Sequence, residues 1–234
     1  MCSIFCILDI KTGADALRPK ALEYSRLLRH RGPDWSGIYN NEHAILVHER
    51  LSIVDTEHGA QPLYNTDKTK VLAVNGEIYN HKTLASQHTP DYPFQTASDC
   101  EIIIPMFEKF GSDFVDKLQG MFAFCLYNEV DNSYLIARDH MGIIPLYTGY
   151  DAEGNFYVAS EMKALMPICK TVEEFPPGHV LDSRVGKLEK YYQRNWQKYS
   201  AIKDNNTSKE KIREALEESV KSHLMTDVPY GVLL

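Results

Sequence analysis

Met1-Cys2-Ser3-Ile4-Phe5-Cys6 opens the chain and governs how the rest of it reads. Residues 3–8 form a short apolar run without helical spacing, which predicts a buried strand. Ahead of that strand stands a cysteine directly behind the initiator methionine. Removal of Met1 would give Cys2 a free α-amine beside its thiol. Such an amine titrates near ~8 and a thiol near ~8.5, so at neutral pH part of the amine is free to take the thiol's proton. One residue then supplies both nucleophile and base. A cysteine at a terminus is by itself more often part of a frayed end, so residues further along the chain must decide between the two.

Outward from this strand, residues 19–29 predict a helix, with Pro19 suited to its first turn and Leu22, Leu27 and Leu28 available to a core. The polar stretch His30-Arg31-Gly32-Pro33-Asp34 breaks it. Residues 44–47 and 71–74 are strand-like, and the second runs into Asn75-Gly76, a turn signal. Ser98-Asp99-Cys100-Glu101 has the form of a capping box and opens a helix through Phe110, closed by Gly111. Residues 121–127 and 134–137 predict one hairpin, and 146–150 with 156–159 a second. Strands outnumber helices, yet the helices are long enough to cover sheet faces. The pattern is a layered α+β domain rather than a βαβ series.

Composition narrows the function classes. At 234 residues the chain holds one large domain, or one domain with part of another. A net charge of −7 argues against nucleic acid or an anionic membrane as partner. No basic, apolar leader opens the chain, and no apolar run reaches the ~18 residues of a membrane span, so a cytoplasmic location is expected. The five cysteines are odd in number and scattered, without the spacing of a disulfide framework or zinc site. Cys100, Cys125 and Cys169 read as small core residues. No metal site is expected.

After Tyr192 the composition changes. Residues 193–207 are polar and aperiodic, which predicts a linker. Residues 208–223 predict an amphipathic helix with Ile212, Ala215, Leu216 and Val220 on one face, and an apolar strand is expected from Val228 to Leu234. The expected division is a first domain over 2–192, a linker over 193–207, and the cut-off opening of a second domain over 208–234. On this reading the tail is marginally ordered and dispensable to the first domain.

Several polar motifs remain, each ordinary when taken alone: Arg50 as a solvated charge, Asn75-Gly76 as a turn, Asp99 as an acid at a helix start. In order, however, the chain resembles the glutaminase half of glutamine-dependent asparagine synthetases, a class II glutamine amidotransferase domain of the N-terminal-nucleophile type. The stretches that carry the resemblance include Cys2-Ser3-Ile4-Phe5, Arg29-His30-Arg31-Gly32-Pro33-Asp34, residues 48–55, Gly59-Ala60-Gln61-Pro62-Leu63 and residues 75–80. Ser98-Asp99-Cys100-Glu101, residues 119–124, residues 138–142, residues 145–147, residues 160–165 and Asp227-Val228-Pro229-Tyr230-Gly231 continue it.

The resemblance implies a four-layer αββα sandwich of antiparallel sheets. It implies Cys2 as nucleophile on L-glutamine, with Asn75 and Gly76 as oxyanion donors. Arg50 would take the substrate α-carboxylate, for which a planar fork is suited. Glu77 and Asp99 would take the α-ammonium, and Leu51, Ser52, Ile53 and Val54 would line the pocket. This half needs no cofactor. The family's second domain uses ATP and magnesium to make asparagine from aspartate, and its pyrophosphate-binding loop would follow Leu234, leaving Leu233 as part of an incomplete ATP site. A homodimer, or a separately encoded synthetase half, is the partner the family suggests. Two departures from the family pattern stand out: Cys6 and Ala97 occupy positions that are commonly glycine, and Cys6 is expected to crowd the pocket or compete as a thiol. Two other readings stay open: another class II amidotransferase, or a catalytically silent truncated product that only binds partners.

Overall fold

In the computed structural model, which describes residues 1–232, the short apolar runs form two sheets. In chain order the strands are β1 (Ser3–Leu8), β2 (Trp35–Asn40), β3 (Ile45–Arg50), β4 (Leu63–Tyr64), β5 (Lys70–Ile78) and β6 (Gly120–Asn128). They continue as β7 (Ser133–Arg138), β8 (Tyr147–Tyr150), β9 (Phe156–Ala159), β10 (Thr171–Glu174), β11 (His179–Asp182) and β12 (Lys187–Lys190). One sheet has the order β10-β8-β9-β1-β3-β2, the other β12-β11-β7-β6-β5-β4. Every pairing is antiparallel.

Strand alternation sends successive side chains to opposite faces. Ile4, Cys6, Leu8, Leu46 and Val158 of the first sheet meet Val71, Ala73, Ala123, Cys125 and Ile136 of the second in a dry central layer. Phe5, Ile7, Ile45, Val47 and Tyr157 face the other way, under Leu17 and Ala21 of helix α1 (Ala14–Ser25). Leu72, Val74, Phe122 and Phe124 pack against Leu84 of α2 (His81–His88) and Ile103, Met106 and Phe107 of α3 (Ile103–Phe110). The result is helix, sheet, sheet, helix. Full burial of each large apolar side chain contributes about 1.5–3 kcal/mol, which is why register is fixed: a one-residue slip would send each row to the wrong face.

Three inner rows turn polar at one end of the sandwich. The β3 row runs Leu46, His48, Arg50; the β5 row runs Ala73, Asn75, Glu77; the β1 row extends outward from Ile4 to Cys2. That end is where a site is built.

Several expectations fail here for identifiable reasons. Helix α1 starts five residues early, with Pro19 inside it, because Ala14, Leu17 and Ala21 supply a buried face that outweighs the one bond the ring forgoes. Leu27 is exposed and Leu28 buried, since residues 26–28 tighten into a 3-10 turn. Asn75-Gly76 makes no turn: β5 runs through it unbroken, Asn75 opposite Ala123 and Gly76 opposite Phe122. Ser98 forms no capping box, because Glu101 instead accepts the N–H groups of Gln95 (2.7 Å) and Thr96 (2.8 Å). Gly111, at φ 60°, does close α3 as expected.

Within 193–207, expected to be aperiodic, residues Asn195–Gln197 form a 3-10 turn and Tyr199–Ile202 form α4. Helix α5 (Lys209–Ser222) is capped by Ser208, whose hydroxyl oxygen accepts from the Lys211 N–H at 3.2 Å. Its Ile212, Leu216 and Val220 are each more than half exposed. No strand forms over 228–232, and Leu233 and Leu234 lie outside the described residues. No described helix is long and apolar enough to cross a membrane.

Candidate active site

A pocket of about 480 Å³, counting its open mouth, sits at the polar end of the sandwich. Cys2, Arg50, Leu51, Ile53 and Val54 line it from the first sheet and its loop; Asn75, Gly76 and Glu77 line it from β5 of the second, and Asp99 from the start of a 3-10 helix. Ser52 does not line it; its N–H is held by the Asp34 carboxylate at 2.8 Å.

The loop Arg31-Gly32-Pro33-Asp34 fixes the surroundings of Cys2. Arg31 donates from Nε to the Cys2 carbonyl at 3.0 Å and from Nη1 to Glu161 at 2.8 Å. Asp34 donates its N–H to the Arg50 carbonyl at 3.0 Å. Gly32 is required there, because a Cβ would run into the Glu49 carbonyl. The Leu51 N–H donates to Cys2 Sγ at 3.3 Å. Burial pushes the Cys2 thiol up, opposed by that N–H and by the Arg50 charge. Burial also lowers the nearby Met1 amine, which favours its neutral, proton-accepting form.

The outward edge of β5 is the centre of the arrangement. Phe122, opposite Gly76, turns both backbone groups toward Asp139, accepting from the Asp139 N–H at 2.8 Å and donating to Asp139 Oδ2 at 3.3 Å. Gly76 therefore turns its own N–H and C=O away from β6. Side chains occupy this edge where a neighbouring strand would otherwise lie. Gln61 accepts the Val74 N–H at 2.8 Å and His48 Nε2 bonds the Val74 carbonyl at 3.0 Å. Cys100 donates its S–H to the Gly76 carbonyl at 3.4 Å, and Asp99 Oδ2 accepts the Ile78 N–H at 2.6 Å. Among the described residues no side chain takes the Gly76 N–H, the group left between these ties. Gly76 (φ 152°) admits no side chain, since a Cβ would run into the Met121 carbonyl.

Beside it, Asn75 is fully buried, and neither its Nδ2 nor its Oδ1 has a partner among the described residues. A buried amide left unpaired costs roughly 1–3 kcal/mol, so this one is a polar group held ready. Together with the Gly76 N–H it presents two donors on the wall of the pocket that also holds Cys2.

At the other side, Arg50 is buried and gives three of its bonds to the pocket loop: Nη1 to the Thr56 carbonyl at 3.4 Å, and Nη2 to those of Val54 (3.3 Å) and Asp55. A guanidinium has five N–H groups, so two remain for a ligand. Burial raises the carboxyl pKa values of both Glu77 and Asp99, and the Asp99 charge raises Glu77 further. The pocket thus holds a cation and a pair of acids, the complement of an α-amino acid's carboxylate and ammonium.

Cys6 does not enter this pocket, contrary to expectation. It lies four residues further along β1, about 13 Å in extended chain, inside the dry layer next to Cys125. Burial and that neighbouring thiol push its pKa well up, so it stays protonated. Cys169 is only part-buried, whereas Cys100 and Cys125 are core residues as expected. His48, Gln61 and Asp55 make contacts around the site that no sequence pattern assigned to them, and Cys100, expected only in the core, also bonds the Gly76 carbonyl. Only His48 carried a signal, as a polar group on an otherwise apolar strand row; Asp55 and Gln61 lie in a loop, where polar residues are ordinary. Among the described residues, no group of three or more His, Cys, Asp or Glu is arranged to hold a metal ion.

This fold and pocket define a glutamine amidotransferase domain, and the family model for that domain matches residues 1–180; the chain belongs to that family. Among curated proteins it is 63% identical over 234 residues to the glutamine-hydrolysing asparagine synthetase B of Escherichia coli (strain K12), covering all of this chain and 42% of that protein. It is 48% identical to a probable glutamine-hydrolysing asparagine synthetase of Dictyostelium discoideum, covering all of this chain and 43% of that one. The chain thus spans about two fifths of the length of these relatives. Glutamine phosphoribosylpyrophosphate amidotransferase from B. subtilis shares the fold, with a TM-score of 0.67 and 21% identity over 82% of this chain and 50% of that one.

Proposed function

We propose that this chain releases ammonia from L-glutamine through Cys2 once Met1 is removed. The observation that carries the reading is one pocket holding a thiol, an unpaired buried amide at Asn75 and an outward Gly76 N–H. The Cys2 amine takes the thiol proton, and the thiolate attacks the side-chain amide carbon. The oxyanion so formed lies between Asn75 Nδ2 and the Gly76 N–H, each donor of this kind contributing ~2.7–4 kcal/mol in the transition state. The C–N bond breaks, the leaving nitrogen takes a proton and departs as ammonia, and a thioester remains. Water then attacks that thioester, releasing glutamate and regenerating the thiol. Arg50 binds the α-carboxylate, and Asp99 with Glu77 the α-ammonium.

The names of the relatives support a wider reading: the ammonia serves asparagine synthesis. On that reading the ATP- and magnesium-dependent activation of aspartate belongs to the portion of those relatives that this chain does not span. The test is direct. Purified chain is incubated with glutamine without ATP, ammonia and glutamate are followed together, and intact mass reports whether Met1 is present. Equal release of both products from protein lacking Met1 is expected; no release from such protein counts against the reading.

A further inference from the structure

The short segment after α5 is bonded to the pocket. Asp227 Oδ2 accepts the Asp55 N–H at 2.7 Å, and the Asp227 N–H donates to the Ile53 carbonyl at 2.9 Å. Thr226 adds its hydroxyl to the same carbonyl at 3.4 Å and accepts the Val228 N–H at 3.1 Å. The carboxylate and N–H of Asp227 thus serve the loop as a neighbouring strand would, from 172 residues away in sequence.

What they hold is the junction of the amino-acid recognition groups. Asp55 is buried and sits at φ 49°, a left-handed conformation that a non-glycine residue keeps only where its surroundings impose it. Its carbonyl takes the Arg50 guanidinium and the Gly59 N–H. Its Oδ2 takes the Ala97 N–H at 2.8 Å, on the stretch that delivers Asp99, and its Oδ1 takes the His58 N–H at 3.0 Å. Ile53 and Val54, on either side of the latched carbonyl, line the pocket.

We propose that Asp227 is a positioning residue for glutamine binding: it latches the loop 53–56 and thereby sets Arg50 and, through Asp55 and Ala97, the Asp99 stretch. This rests on the hydrolytic reading above, and it departs from the expectation that everything past the linker is dispensable. The latch holds ground-state recognition groups and touches neither Cys2 nor the oxyanion donors. Its loss therefore acts on KM rather than on kcat.

The test uses the whole chain with Asp227→Ala and Asp227→Asn. Asparagine keeps an oxygen that accepts the Asp55 N–H, so it separates the hydrogen bond from the charge. Asp227→Ala is expected to raise the glutamine KM about tenfold with kcat within about twofold, a tenfold change being ~1.4 kcal/mol. Asp227→Asn is expected to restore most of the lost affinity. Amide exchange over 53–56 should rise in Asp227→Ala while β6 keeps its protection. Unchanged KM with unchanged exchange overturns the proposal. So does a uniform rise in exchange with KM and kcat both impaired, which marks a general loss of stability. If the wild-type chain releases no ammonia, the hydrolytic reading fails on its own, and the local exchange difference with glutamine affinity by calorimetry decides the latch.

Discussion

His48 Nε2 lies 3.0 Å from the carbonyl oxygen of Val74, a bond that crosses from one sheet to the other one residue before Asn75. The ring is fully buried, and burial lowers its pKa to about 3. It is therefore neutral at working pH, with the proton on Nε2 as donor to the carbonyl. Gln61 holds the N–H of the same Val74 at 2.8 Å. Two polar side chains thus fix the backbone of Val74, from which Asn75 and Gly76 extend, beyond the span that pairs with β4.

The buried imidazole makes stability pH-dependent with a definite sign. In the unfolded chain His48 titrates near ~6.5, whereas in the folded chain it stays neutral down to about 3. Between those limits the unfolded state binds the extra proton, so stability falls as pH falls, by about 1.4 kcal/mol per pH unit from this group. His48→Asn is expected to remove that share of the slope. Denaturant midpoints from pH 6.5 to 4.5 check it, read as the difference between wild type and variant so that other titrating groups cancel. Parallel slopes would contradict it.

Cys2→Ala is expected to abolish ammonia release while glutamine still binds, since Arg50, Asp99 and the loop are untouched. Cys2→Ser should also be nearly inactive, because a hydroxyl is far less acidic than a thiol. Ammonia release by Cys2→Ala at the wild-type rate would show that the nucleophile lies elsewhere.

The sandwich was legible where local chemistry and final environment agree. Residues 3–8 and the two hairpins around 131–133 and 153–155 read correctly because short, continuous apolar runs match strands mostly buried on both faces. Asn75-Gly76 misled because turn propensity is local, whereas a nine-residue pairing with β6 decides the backbone there. Strands β10 to β12 were missed because each is only four residues long and largely polar, β10 and β12 lying at sheet edges. The pocket residues emerged from resemblance more than from pattern. The edge ties at Val74 and the Asp227 latch did not emerge at all, because they join segments far apart in the chain.

Arg50 and Asn75 should fail differently. Arg50→Lys is expected to raise KM at least tenfold, because a point charge reproduces neither the two remaining N–H groups nor the bonds to the Val54, Asp55 and Thr56 carbonyls. Asn75→Ala is expected to lower kcat about 10²–10³-fold with KM little changed, the loss typical of one oxyanion donor. Steady-state kinetics on both variants check this. Equal effects on both parameters in both variants would remove the division of roles.

Glu77 and Asp99 should set the acid limb of the activity. Burial raises both carboxyl pKa values, and Glu77 is raised further by the Asp99 charge. On the proposed function the ionised acids receive the substrate ammonium, so recognition is expected at neutral pH and lost as pH falls through those raised values. The fall in kcat/KM should therefore begin at a higher pH than the ~4 of an ordinary carboxylate. In Asp99→Asn two opposite changes are expected. At pH 7 the KM rises, because one charged partner of the ammonium is gone. At the same time the acid limb moves to lower pH, because Glu77 no longer ionises beside a second negative charge. The pH profile of kcat/KM, which reports groups of the free enzyme, measures both at once. An acid limb at the same pH in wild type and Asp99→Asn would show that this pair does not govern glutamine capture.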